Sequence, residues 1–96
     1  MKTARNVTFD IKQGKQDEFT RLFNSEVIPT LKKQAGFHSE LALVHDGHAS
    51  AISVWNDSKS AEKYEKDIYP QLLRQLEPIM SGAPSVKTYE VCASTL

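Results

Sequence analysis

Two stretches of this chain follow one pattern. Val27-Ile28-Pro29-Thr30-Leu31-Lys32-Lys33-Gln34 and Ile68-Tyr69-Pro70-Gln71-Leu72-Leu73-Arg74-Gln75 both read apolar pair, proline, x, leucine, x, base, glutamine. Each lies in a segment with helical spacing. The first carries Phe19, Leu22, Phe23, Val27 and Leu31 on one stripe; the second carries Ala61, Tyr64 and Ile68, then Leu72, Leu73, Leu76 and Ile79 or Met80. A proline inside a regular helix removes a backbone donor and costs about 3 kcal/mol. Both helical segments must therefore break or kink at the same place in the pattern, near Val27–Pro29 and near Pro70.

Strand signals surround these segments. Val7, Phe9 and Ile11 alternate with Asn6, Thr8 and Asp10, the period of a strand with one buried face. Gln13-Gly14-Lys15 ends it. Asp17 and Glu18 open the first helix and Lys32 and Lys33 close it, which suits the helix dipole, and Gly36 is a natural stop. Phe37 to His45 and His48 to Trp55 read as strands joined by Asp46-Gly47, a two-residue hairpin turn whose positions both tolerate positive φ. Asp57 or Ser58 caps the second helix, Pro78 and Gly82 end it, Ala83-Pro84 is read as a loop, and Ser85 to Ala93 as the last strand. The order β-α-β-β-α-β predicts an α+β, ferredoxin-like fold. It is a four-stranded antiparallel sheet with both helices on one face, as a single domain over residues 1–96.

The other sheet face takes one parity from each strand, either Leu41 and Leu43 or Ala42 and Val44, and either Ile52 and Val54 or Ala49, Ala51 and Trp55. No choice is fully polar, whereas a sheet with one wet face shows a cleaner polar side. A homodimer through the open sheet face is the simplest cover.

Composition excludes several classes. Lys plus Arg and Asp plus Glu are 12 each, so the basic excess of a nucleic-acid or acidic-membrane binder is missing. The one cysteine, Cys92, makes neither an internal disulfide nor a metal site. No apolar h-region follows Met1, and no run approaches membrane-span length, so a cytoplasmic location is expected. The glycines stand singly, without a phosphate-cradling or dinucleotide pattern, and no nucleophile triad is recognisable.

The junction Val54-Trp55-x-Asp57-x-x-x-Ala61, with Val27-Ile28-Pro29-x-Leu31 before Gly36-Phe37 and the element order, resembles the antibiotic biosynthesis monooxygenase-like group of the dimeric α+β barrel superfamily. The likeness spans nearly the whole chain. It implies two sheets closing into a barrel across a dimer, with a pocket in each subunit between helices and sheet. It also implies chemistry of two kinds, cofactor-free oxygenation of phenols and quinols or haem degradation, and many members have no assigned activity. Members often place a His nine residues after the Trp and another five further on; here Tyr64 and Tyr69 stand there. The haem-degrading subset has an Asn on strand one, matched by Asn6, and a Trp and His on helix two, where this chain has Tyr64 and Arg74. Without an imidazole to ligate iron, haem is not expected, and no cofactor is.

Tyr64 and Tyr69 are then the candidate catalytic residues, as phenols donating to a substrate oxygen, with His38 as a candidate base. Trp55, Asn6 and Phe23 are candidate contacts to a small apolar or aromatic ligand. Packing readings stand beside each: Tyr64 as a core aromatic, Trp55 as a core cap, Asn6 as a solvated or dimer-contact residue, His38 as a surface imidazole. His45, Asp46 and His48 flank an exposed turn without a firm third ligand, so no metal site is expected.

Overall fold

The computed structural model describes all 96 residues. In chain order the elements are β1 (Thr3–Ile11), α1 (Gln16–Leu22), a π-helical turn (Phe23–Val27), α2 (Ile28–Lys32), β2 (Phe37–His45), β3 (His48–Trp55), α3 (Ser58–Asp67), α4 (Tyr69–Leu76), a 3₁₀ turn (Glu77–Ile79) and β4 (Met80–Glu90). All strand pairs are antiparallel, in the order β2-β3-β1-β4. This is the expected ferredoxin-like α+β architecture. No helix is long and apolar enough to cross a membrane.

Both prolines act as their chemistry requires. Pro29 lies in the first turn of α2, after a wide π turn, and Pro70 in the first turn of α4, after the break at Ile68. A first-turn proline forfeits no helical hydrogen bond. Asp57 caps α3, its Oδ1 accepting from Ser60 N–H at 2.7 Å, which holds the carboxyl below its usual range. Asp46 and Gly47 have φ of 48° and 77°, the positive pair of a type I′ hairpin.

The fourth strand departs from expectation. It begins at Met80 rather than Ser85, and Ala83-Pro84 lies within it. β4 is an edge strand, so Pro84 removes no ladder bond that a further neighbour needs. A register shift between Thr8 and Asp10 leaves Gly82, at φ 88°, in a bulge.

The open parities resolve as follows. Val7, Phe9, Ile11, Ala49, Ala51 and Trp55 face the helices and join the core with Phe19, Phe23, Leu31, Leu72 and Leu76. Ile52 and Val54 point to the other face, where Leu41 pairs with Ile52 and Leu43 with Ser50 across the β2–β3 ladder. Leu41 is 56% exposed and Leu43 47%. β2 keeps this parity only because of a bulge. Phe37 pairs with Trp55 and Ser39 with Val54, which leaves His38 as the extra residue.

Gly36 (φ 80°) fixes how the chain enters β2. Its carbonyl accepts from Asn56 N–H at 2.8 Å, and a Cβ there would sit 2.5 Å from Ser60 Cβ, which no rotamer change relieves. Gly36→Ala is expected to lose about 2–3 kcal/mol through clash and positive φ. Gly14→Ala (φ 77°, nothing within 4 Å) is expected to lose only about 1 kcal/mol. Urea unfolding of the two variants measures the difference.

Candidate functional site

A row of aromatic rings crosses the core. Phe37 meets Trp55 edge-on with centroids 5.6 Å apart, Trp55 lies 4.8 Å from Tyr64, and Tyr64 lies 6.2 Å from Tyr69. Trp55 is fully buried and its indole N–H donates to Ser53 Oγ at 2.9 Å. The break between α3 and α4 makes the row possible. Residues five apart on one helix diverge, but Tyr64 is on α3 and Tyr69 opens α4.

The row ends at a buried cation. Arg5 is 2% exposed, on the same face of β1 as Val7 and Phe9. Its guanidinium carbon lies 4.5 Å from the Tyr69 ring centroid and 5.1 Å from that of Tyr64, and its Nη2 donates to Glu65 Oε1 at 3.3 Å. Two ring faces and one half-exposed carboxylate thus compensate a desolvated charge.

These groups close the inner end of a cavity between helices and sheet. Its apolar wall includes Val7, Phe23, Val27, Leu72 and Leu76, and its polar end is Arg5, Glu40, Tyr64 and Tyr69. The volume is about 40 Å³. That is room for a few waters, against roughly 150 Å³ for a cavity that binds benzene. Arg5 Nε, Glu40 Oε1 and Tyr69 Oη are all buried without a hydrogen-bond partner in the protein. One such group normally costs about 1–3 kcal/mol. All three belong to residues that line this one cavity, so its polar end is not satisfied by the protein's own groups.

Burial sets the protonation states. Desolvation raises the Glu40 carboxyl to about 8, with Arg5 opposing. It is therefore mostly a neutral acid at neutral pH. Desolvation also raises the Tyr64 and Tyr69 hydroxyls, again against Arg5, so both remain protonated hydrogen-bond donors.

A groove of about 270 Å³ lies between β2 and the π turn. It shares Phe23 and Glu40 with the inner cavity and is also lined by Thr20, Asn24, Ile28 and Ala42. π turns often occur where a helix wall is adapted to a site.

Of the residues singled out from sequence, Tyr64, Tyr69 and Phe23 line the cavity together, and Trp55 backs Tyr64 from behind. Asn6 lies on the opposite sheet face, where its Oδ1 accepts from Ser50 Oγ at 2.7 Å. His38 is exposed at the β2 bulge, with Nδ1 3.1 Å from Ser39 Oγ. His48 pairs with Asp10 and His45 with Asp46 at the exposed hairpin end. No cluster of three or more His, Cys, Asp or Glu is arranged to hold a metal ion. Sequence reasoning missed Arg5 and Glu40. The signal for Arg5 was present, since it shares the parity of Val7 and Phe9.

The partly buried Glu40 makes stability depend on pH. Its folded pKa lies above the ordinary carboxyl value of 4.5, so the folded chain holds an extra proton between about 4.5 and 8. Its contribution is full below the lower value and lost as pH rises through the upper. The melting temperature is expected to fall between pH 5 and pH 9, approximately, with Glu40→Gln showing a flatter profile.

No family model and no curated protein matches the sequence. Solved structures do match the fold. A protein of unknown function from Nitrosomonas europaea, NE2512, superposes with a TM-score of 0.81 at 18% identity, covering 99% of this chain and 93% of that one. SnoaB, a cofactor-independent oxygenase from Streptomyces nogalater, gives 0.81 at 15% identity, covering 98% and 96%. The monooxygenase ActVA-Orf6 of Streptomyces coelicolor, in complex with nanaomycin D, gives 0.77 at 17%, covering 98% and 90%. The chain therefore has the fold of the antibiotic biosynthesis monooxygenase-like proteins, the group that its sequence resembles.

Proposed function

We propose that this protein is a cofactor-independent monooxygenase-like enzyme acting on a small phenol or quinol bound between α3–α4 and the sheet. The observation that carries this reading is the partnerless polar end of an otherwise apolar cavity, formed by Arg5, Glu40, Tyr64 and Tyr69. An electron-rich phenol, ionised, transfers one electron to dioxygen. The resulting substrate radical and superoxide combine to form a C–O bond, and the hydroperoxide loses water to leave a carbonyl. One oxygen atom ends in the product and the other in water, with two substrate hydrogens. All electrons come from the substrate, so the protein supplies charge stabilisation and a dry site. Arg5 stabilises the oxyanion, and the protonated Tyr64 and Tyr69 donate to oxygen atoms of substrate or peroxide. A ring needs more than the present inner volume, so substrate enters by the groove and displaces the Phe23–Glu40 wall.

The small volume favours a second reading, a binding module without turnover on the same scaffold. Oxygen uptake by the pure protein over a panel of hydroquinones separates the two. Protein-dependent uptake is expected, reduced about 100-fold or more in Tyr64→Phe and Tyr69→Phe. No uptake across the panel overturns the oxygenase reading, and bound but unoxidised hydroquinone supports the module.

The partner we propose is a second copy of this chain across the open sheet face. Leu41, Leu43 and Tyr89 lie exposed there. Burying such side chains contributes about 1.5–3 kcal/mol each before association costs. A cytoplasmic location suits the free, exposed Cys92. Sedimentation is expected to show twice the 10.8 kDa chain mass at micromolar concentration, and Leu41→Glu with Leu43→Lys to return the single chain.

A further inference from the structure

The inner cavity confines one more ionisable group than oxyanion binding requires. Arg5 alone would hold an anion, yet Glu40 faces the same space with a partnerless Oε1. Glu40 reaches it because the bulge at His38 turns residues 40, 42 and 44 toward the helices. The groups around it are few. β1 supplies Arg5, β3 supplies Ser53 opposite it, α3 supplies Tyr64 and, on the outer side of Arg5, Glu65, and α4 supplies Tyr69. The first helical segment turns Thr20, Phe23, Asn24 and Ile28 toward it, none of which titrates in the neutral range. Arg5, already paired outward with Glu65, supports one further negative charge in the cavity, carried either by Glu40 or by a ligand.

We propose that Glu40 is the proton acceptor of this site and Arg5 the holder of the oxyanion, so that the site selects ligands with an acidic hydroxyl, a phenol or an enol. This rests on the reading of the cavity as a phenol site. Where Glu40 is ionised, the ligand O–H bond breaks, the proton forms a new O–H bond at Glu40 Oε1, and the ligand keeps the electron pair opposite Arg5 Nε–H; where Glu40 is already neutral, the ligand enters as its anion. Tyr69 Oη donates to the same oxygen. The bound state is ligand anion plus neutral Glu40, whichever partner carried the proton in solution. A carboxyl titrating near 8 suits that exchange, because its affinity for the proton is close to that of an acidic phenol.

The test uses 4-nitrophenol, whose colour reports its own ionisation. The wild-type protein is expected to bind it as the phenolate. Affinity should fall about tenfold for each pH unit above about 8, where Glu40 must recapture a proton before the anion can bind. Glu40→Gln, which stays neutral, should keep binding the phenolate and lose that alkaline fall. Measured without any variant, binding well above pH 8 in weakly buffered solution should take up about one proton per dye. The inference is overturned by dye bound as the neutral phenol, by no spectral change at millimolar dye, by an alkaline fall equal in Glu40→Gln, or by zero proton uptake. The oxygenase reading fails separately. Protein that binds phenolate with proton uptake but consumes no oxygen keeps this inference and loses that reading. Oxygen uptake with the same pH profile in wild type and Glu40→Gln does the reverse.

Discussion

The buried charge of Arg5 is the constraint around which one end of this protein is arranged. Moving a guanidinium out of water costs several kcal/mol even after relaxation. The fold meets that cost with two aromatic faces, Tyr64 and Tyr69, and one carboxylate, Glu65, all drawn from α3 and the start of α4. The proline break between those helices therefore matters beyond local geometry. It places both rings over one cation, which a single regular helix would not do. Trp55 lies beneath Tyr64 and fixes where the pair sits relative to the sheet.

The same charge governs the chemistry of its neighbours. It opposes the desolvation that keeps Glu40 neutral and the two tyrosines protonated. In the reading proposed above, the cavity receives a ligand that brings its own negative oxygen. Its apolar wall and its small volume restrict what else enters. The groove beside the π turn is the larger of the two spaces, and Glu40 and Phe23 line both. Function on this scaffold thus rests on the site rather than on the fold, since one fold hosts many activities.

The two sheet faces divide the work. The helix-covered face carries the core and the cavity. The other carries exposed leucines on edge strand β2 and Tyr89 on edge strand β4, joined by Ile52 and Val54 and by small and polar residues between them. Apolar residues spread over an uncovered face are what a partner sheet would bury. The hairpin end of that face stays polar, with His48 against Asp10.

Local physics in the sequence determined much of this structure. Period-two alternation, the Asp46-Gly47 turn, the Asp57 cap and the two proline breaks each follow from backbone chemistry over a few residues, and together they dictate the element order and hence the fold. The last strand was legible only from Ser85, because a proline reads as a loop until its strand is known to lie at an edge. Tyr64 and Tyr69 drew notice through the family resemblance, which has histidines at those positions after the Trp, and the break at Pro70 was the feature that could turn both to one side. The rest of the site needed the tertiary structure. Strict alternation from Phe37 would have turned Glu40 outward, and only the bulge at His38, an extra residue in one strand of a pair, reverses that parity. Arg5 shares a face with Val7 and Phe9, but its burial depends on rings that lie some sixty positions further along the chain. Pairing across a sheet and closure of helices over it are long-range choices, and they decided where this protein keeps its charge.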